Sequence, residues 1–234
     1  LGYQNHFSIV DSEDARQIIA QAMHELKIDA KTAKFPKSNI LSEMISLTVN
    51  TGNSLEEVIA SRYPFFRHLS QELHQIACLY TQKKKALNVM DFDDLLANCC
   101  RLLREHPDVL QTLSSRFRHV LVDEYQDTNL LQAEILDLLA SGHRNLMVVG
   151  DDSQSIYSFR GANFENIIRF PERYPDCKIF KLETNYRSTP EILHLANLSI
   201  NNNENQFPKA LKAVREKGAR PVIVSASDVL KQKR

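Results

Sequence analysis

The stretch His119-Val120-Leu121-Val122-Asp123-Glu124-Tyr125-Gln126-Asp127 decides the fold. A short aliphatic run ends abruptly in two adjacent carboxylates, which reads as a buried strand with polar groups gathered at its carboxyl end. Downstream, Asn129 to Ala140 reads as a helix, Asn145 to Val149 as a second strand and Phe164 to Phe170 as a helix. Lys178 to Leu182 then reads as a third strand and Thr189 to Ile200 as another helix. Strands of about four or five residues alternating with helices of about 10–15 are the pattern of β-α units and a parallel sheet. Gly142 sits where a helix C′ residue belongs, and Ser188 with Glu191 has capping-box spacing around Pro190. Pro221 to Ser225 predicts a last strand, after a loose, Asn-rich and basic stretch from Asn201 to Arg220 that reads as a linker into another sheet.

Towards the N-terminus the pattern is helical. From Asp11 to Lys27, the residues Ala15, Ile18, Ile19, Ala22, Met23 and Leu26 recur three and four apart, with Asp11 or Ser12 as N-cap. From Lys31 to Asn53 the pattern weakens, punctuated by Pro36, Asn50 and Gly52, until Ser54-Leu55-Glu56-Glu57 offers a capping box. Pro64 opens a longer helix through Phe66, Leu69, Leu73, Ile76 and Tyr80, which runs into Lys83-Lys84-Lys85. That lysine run reads as an ordinary solvated face at a helix C-terminus. Asp91 starts a further helix through Leu103, and Pro107 another through about Ser114.

Composition narrows the function classes. Over 234 residues the hydrophobic fraction is 43% and the charged fraction 25%, which excludes disorder and collagen-like repeats and allows one domain or two. Basic and acidic side chains number 29 each, so a generally basic DNA-coating protein is excluded while a local basic face is not. No apolar run approaches the ~18 residues of a membrane span, and no signal-peptide layout opens the chain, which reads as soluble and unexported. Cys78, Cys99, Cys100 and Cys177 lack C-x-x-C or zinc spacing and read as buried thiols in a reducing compartment.

In open parallel sheets ligands bind beyond the carboxyl ends of the strands, and here those ends are polar. Asp123 and Glu124 can divide labour, one holding hydrated Mg²⁺ and the other accepting a proton from an attacking water. The plain alternative is a pair of strand-end acids beside a helix cap at Asp127 or Thr128. The second end, Gly150-Asp151-Asp152-Ser153-Gln154, offers in Gln154 an amide for a phosphate oxygen or a water. Tyr157 and Phe159, flanked by Arg160, can stack bases of a single strand, or can be packed core aromatics. The third end supplies Tyr186 and Arg187, the arginine suited to neutralise a transferring phosphoryl group or to make a surface ion pair. A metal-dependent nuclease built on Asp91, Asp93, Asp94, Asp123 and Glu124 is a weaker rival, because Glu124-Tyr125-Gln126 stands where an E-x-K would be needed.

Three segments resemble, in order and spacing, consecutive motifs of the UvrD/PcrA/Rep group of superfamily 1 DNA helicases. They are Asp123 to Asn129, Val148 to Ala162 and Leu182 to Thr189, and Met90-Asp91-Phe92-Asp93-Asp94-Leu95-Leu96 resembles the re-entry into the first motor domain. The resemblance implies an α/β fold, a partial RecA-like (P-loop NTPase) parallel sheet with an all-helical insertion domain. It implies an insertion over 1–90, the C-terminal part of the first motor domain over 91–184 and the beginning of the second over 185–234. By resemblance Asp123 holds Mg²⁺, Glu124 activates the hydrolytic water and Gln154 senses the γ-phosphate of ATP. Tyr157, Phe159 and Arg160 face the single strand, Tyr186 stacks on adenine and Arg187 is the arginine finger. Phe159 stands where the family usually carries Trp. The implied partners are ATP, single-stranded and duplex DNA, and repair or replication proteins, with no membrane, in the nucleoid-associated cytoplasm of a bacterium. The implied polarity is 3′ to 5′.

A phosphate-cradling G-x-x-x-x-G-K-[ST] is absent from these 234 residues, and the Lys31-Thr32 and Lys37-Ser38 pairs follow Ala30 and Pro36 rather than glycine. The expectation is therefore an internal segment of a longer helicase that binds and hydrolyses ATP poorly by itself. Unpaired backbone edge, exposed apolar area and marginal stability are the physical corollary. A non-catalytic DNA- or partner-binding module is the alternative.

Overall fold

The computed structural model describes residues 1–28 and 35–225, and of Arg160 the backbone alone. Lys31-Thr32 lies outside the described residues. The chain divides into two compact units, Leu1–Ile167 and Ile168–Arg234.

The first unit begins with a helical bundle. Helix α1 (Ser12–Glu25) starts where Asp11 accepts hydrogen bonds from the Glu13 and Asp14 amides, and it buries Ile18, Ile19, Ala22 and Met23. Helix α2 (Ser38–Thr51) occupies the stretch expected to be irregular. Leu41, Met44 and Leu47 bury one face of it, and Gly52 ends it in the left-handed region at φ 71°. The Ser54–Glu57 capping box forms at the start of α3 (Leu55–Arg62). Pro64 opens a 3₁₀ turn (Pro64–Leu69) rather than the long helix itself, which is α4 (Ser70–Ala86). Leu73, Ile76 and Tyr80 of α4 close the core over Ile19, Met44 and Ile59. Strand β1 (Ser8–Ile9) pairs in parallel with β2 (Val89–Met90), so the N-terminal segment and the residues after α4 are laced together.

The lysine run is not a uniform solvated face. Lys84 is 3% exposed, and its Nζ lies 2.5 Å from carboxylate oxygens of both Asp91 and Asp94. The Tyr80 hydroxyl donates to the same Asp91 oxygen at 2.7 Å. Burial pushes the Tyr80 phenol well above its ordinary range, with Asp91 adding to the rise. Burial alone would raise Asp91, but the Lys84 ammonium and the bonds from Lys84, Tyr80 and the Asp94 amide leave it below the ordinary carboxylate value. Asp94, pushed up by burial and by its neighbour Asp91, stays above it. The two aspartates also form the capping box of α5 (Phe92–Glu105).

Helix α6 (Pro107–Arg116) leads into β3 (Val120–Val122), which pairs in parallel with β4 (Leu146–Val148) across α7 (Leu130–Ala140). This β-α-β unit is the one the quoted stretch implies. Its strands are not buried on both faces, since Leu121 is 71% and Met147 57% exposed. Short helices α8 (Glu165–Ile168) and α9 (Phe170–Arg173) follow.

In the second unit β5 (Thr184–Asn185) pairs in parallel with β6 (Lys212–Ala213), and α10 (Pro190–Ile200) lies between them in the chain. The linker expected over 201–220 therefore contains a strand. Residues 178–182 and 221–225 are not strands, because no described segment forms a ladder with their backbone, and Phe180, Leu182, Val222 and Val224 are each more than four-fifths exposed. The Ser188–Glu191 capping box does not form: Thr189 is the N-cap, and Glu191 accepts from the Gly218 amide instead. Among the described residues the fold is a mostly helical α/β arrangement with three two-stranded parallel sheets, and the three polar strand ends do not share one sheet. Cys100 is buried as expected, but Cys78 and Cys99 are exposed. No helix among the described residues is long and apolar enough to cross a membrane.

Candidate functional site

The site of the first unit is built on the carboxyl ends of β3 and β4. The chain leaves β3 through Asp123 and turns sharply at Glu124, which adopts left-handed backbone angles (φ 51°, ψ 40°). That conformation is costly for a residue with a Cβ and throws the chain into the 3₁₀ turn Tyr125–Asp127. The Asp123 carboxylate accepts from the Glu124 amide at 2.9 Å, and both acids are exposed.

Beneath them Tyr125 and Gln126 are buried, 0% and 1% exposed. Gln126 is the brace of the site. Its Nε2 donates to Glu124 Oε2 at 2.8 Å and, more weakly, to Asp127 Oδ2 at 3.3 Å. Its Oε1 accepts from the Asp151 amide at 3.0 Å, so one side chain joins the end of β3 to the end of β4. The approach is close: a Cβ on Gly150 would lie 2.5 Å from Gln126 Oε1 and 2.8 Å from Ile167 Cδ1. Glycine is needed there for space. Asp151 caps the following 3₁₀ turn, Asp152–Gln154, by accepting from the Ser153 amide, and it holds the Gln154 carboxamide at 2.8 Å. Gln154 itself is exposed beside that turn.

The next turn, Ser158–Arg160, carries the aromatics. Tyr157 and Phe159 are 38% and 55% exposed, with ring centroids 6.1 Å apart and planes tilted by 48°. They are therefore surface rings rather than packed core. The Arg160 side chain lies outside the described residues. Beside the rings opens a groove of about 660 Å³ whose other walls come from α2, α5 and the start of α7.

In the second unit Tyr186 and Arg187 follow β5 directly. Asn185 Oδ1 accepts from the amides of Arg187 (3.0 Å) and Ser188 (2.7 Å), an Asx turn that fixes the path of the backbone there. Arg215 donates to the Arg187 carbonyl at 2.9 Å. Tyr186 is 75% exposed.

The structure thus brings Asp123, Glu124 and Gln154 to adjoining strand ends, with Tyr157 and Phe159 close behind. Sequence reasoning missed Gln126 and, at the groove, Asn50. Gln126 stands within the quoted stretch, but nothing local tells that its amide reaches a residue 25 positions away. The nuclease reading loses its aspartates: Asp91 and Asp94 are taken up by Lys84, and Asp93 accepts from Asn50. Among the described residues no three His, Cys, Asp or Glu side chains converge on a common metal position. Magnesium does not need such a cage, since it is commonly held by one or two carboxylates, water and substrate phosphates, which exposed Asp123 suits.

Comparison with known proteins bears on the whole chain. The UvrD/REP helicase N-terminal domain matches residues 1–175, and the UvrD-like helicase C-terminal domain matches residues 180–233. The chain is 35% identical over 218 residues to the ATP-dependent DNA helicase PcrA of Staphylococcus aureus, covering 93% of this chain and 29% of that protein. It is 36% identical over 235 residues to the ATP-dependent DNA helicase Rep of Escherichia coli, covering 97% and 33% respectively. A putative ATP-dependent DNA helicase of Bacillus subtilis, YjcD, is 37% identical over 207 residues, 88% of this chain and 26% of its own. The chain thus spans a third or less of the length of these relatives.

Proposed function

The chain belongs to the UvrD/REP helicase family, and from that membership we propose that it forms the strand-contacting and water-activating part of an ATP-dependent 3′-to-5′ DNA helicase. In this reading residues 1–90 are the helical insertion, 91–184 the C-terminal part of a first RecA-like domain, and 185–234 the start of a second. The observation that carries it is the brace of Gln126, which holds the Glu124 carboxylate and the β4 end together as a hydrolytic centre requires.

Glu124 is the base that takes a proton from the attacking water, its carboxylate oriented by the Gln126 amide. Gln154, presented from the Asp151 cap, contacts the γ-phosphate and relays its presence to the aromatic turn that follows it in the chain. Arg187 neutralises charge on the transferring phosphoryl group, and Tyr186 offers its exposed ring to adenine. Asp123 would hold Mg²⁺, which would supply charge neutralisation at the phosphates. Tyr157 and Phe159 stack on bases, with Arg160 adding cationic attraction. The partners are ATP and single-stranded and duplex DNA, with repair or replication proteins beyond them, in the cytoplasm of a bacterium.

Binding to fluorescent oligo(dT) of about 16 nucleotides, followed by anisotropy, tests this reading. Sequence-tolerant binding is expected, weakening as salt rises. A Tyr157→Ala/Phe159→Ala double variant should lose roughly 1–3 kcal/mol per stacked base. Absence of single-strand affinity, or affinity unchanged in the double variant, overturns it.

A further inference from the structure

We propose that Asn50 is a positioning residue for the aromatic turn, fastening Tyr157 and Phe159 to the helical bundle before a strand arrives. The inference rests on reading those rings as a single-strand contact. Asn50 lies in the last turn of α2 and is 7% exposed, yet its carboxamide is fully engaged. Nδ2 donates to Asp93 Oδ1 at 2.8 Å and to the carbonyl and hydroxyl oxygens of Ser46 at 2.9 and 3.1 Å. Oδ1 accepts from Asn129 Nδ2 at 2.6 Å. Asp93 belongs to the first turn of α5 and Asn129 caps α7, so one amide joins three helices.

The aromatic turn is seated on the same residue. It ends at Gly161, which has φ 86°, and a Cβ there would lie 2.7 Å from Asn50 Cβ. Its downstream limb is tied to the same corner, because the Asn163 amide and Asn166 Nδ2 both donate to the Thr128 carbonyl at 3.0 Å. Asn50, Asp93, Asn129, Tyr157 and Phe159 accordingly line one groove. Only an amide serves here. Aspartate would set a carboxylate against Asp93, and alanine would leave both the Asp93 oxygen and the Asn129 amide without this partner. Fixing the turn in advance spares the ordering cost that a mobile ring would bear on binding.

The sequence contains no tryptophan, so Phe159→Trp places a single fluorescent reporter on the turn. In that background Asn50→Ala is expected to lower the reporter's anisotropy, raise its acrylamide quenching and weaken oligo(dT) binding roughly tenfold. Gly161→Ala sets a methyl against Asn50 Cβ at a position whose φ is 86°, so it moves the turn off Asn50 and should give the same signature even if Asn50→Ala fails to fold. Unchanged reporter anisotropy and quenching in Gly161→Ala, or in a folded Asn50→Ala, overturn the proposal. If the Phe159→Trp chain binds no oligo(dT), the strand reading fails, while the anisotropy and quenching still decide whether Asn50 positions the turn.

Discussion

Two residues with side-chain amides hold this site, and each also stands where its neighbour can have no side chain. A Cβ on Gly150 would meet the amide oxygen of Gln126, and one on Gly161 would meet the Cβ of Asn50. For Gly150 this yields a sharp expectation. In Gly150→Ala the new methyl must displace the Gln126 amide, which is buried and bonded to Glu124 and to the Asp151 amide. Overpacking of this kind costs about 1–3 kcal/mol. Gln126→Ala alone should cost a similar amount through loss of the bonds Gln126 makes to the Glu124 carboxylate and the Asp151 amide. The double variant should cost less than the sum, because the clash and the lost bonds share one cause. Urea denaturation of the four proteins measures this cycle, and strict additivity would show that Gly150 and Gln126 do not constrain each other.

At the scale of elements, the junction between α4 and α5 is held by charge beside an apolar core that runs from Ala15 to Tyr80. Lys84 faces two carboxylates with its side chain 4% exposed, whereas Lys83 pairs with Glu25 at the surface. Lys84→Met should therefore destabilise the chain by about 3–5 kcal/mol, since it removes a buried cation and leaves two half-buried acids facing each other without it. Lys83→Ala should cost about 0–1 kcal/mol. Adding Asp94→Asn to Lys84→Met should restore part of the loss by removing one of the two repelling charges, and thermal unfolding would read the difference. That junction also marks where sequence stops informing. Caps and apolar spacing are local, so α1 with Asp11, α3 with Ser54 and Glu57, and strands β3 and β4 could all be read directly. Helix α2 escaped notice because Pro36, Asn50 and Gly52 look like loop punctuation, although Leu41, Met44 and Leu47 carry helical spacing. Which of three consecutive lysines turns inward depends on partners seven and ten residues ahead. Runs such as 178–182 and 221–225 have strand composition, but a strand exists only when another segment takes up its hydrogen bonds. In the site the acids and aromatics were legible by residue type. Asn50 was not, because its partners lie 43 and 79 positions away.

At the scale of the whole chain, contact with a strand and hydrolysis of nucleotide make different demands on the residues present. Strand contact needs exposed rings on a fixed turn, and Tyr157, Phe159 and the Asn50 corner lie together within one compact unit. Hydrolysis needs in addition a cradle of backbone amides and a lysine around the β- and γ-phosphates, and the 234 residues contain no G-x-x-x-x-G-K-[ST] to provide it. On the proposed reading Glu124 orients a water, but without that cradle the phosphate the water must attack is not held in line. The 234-residue chain is therefore expected to bind oligo(dT) while showing ATP turnover near background, with no stimulation by DNA. Phosphate release with and without oligo(dT), measured on the chain and on Glu124→Gln, decides the matter. DNA-stimulated turnover abolished by Glu124→Gln would mean that other residues hold the phosphates, and the separation of the two demands would fall.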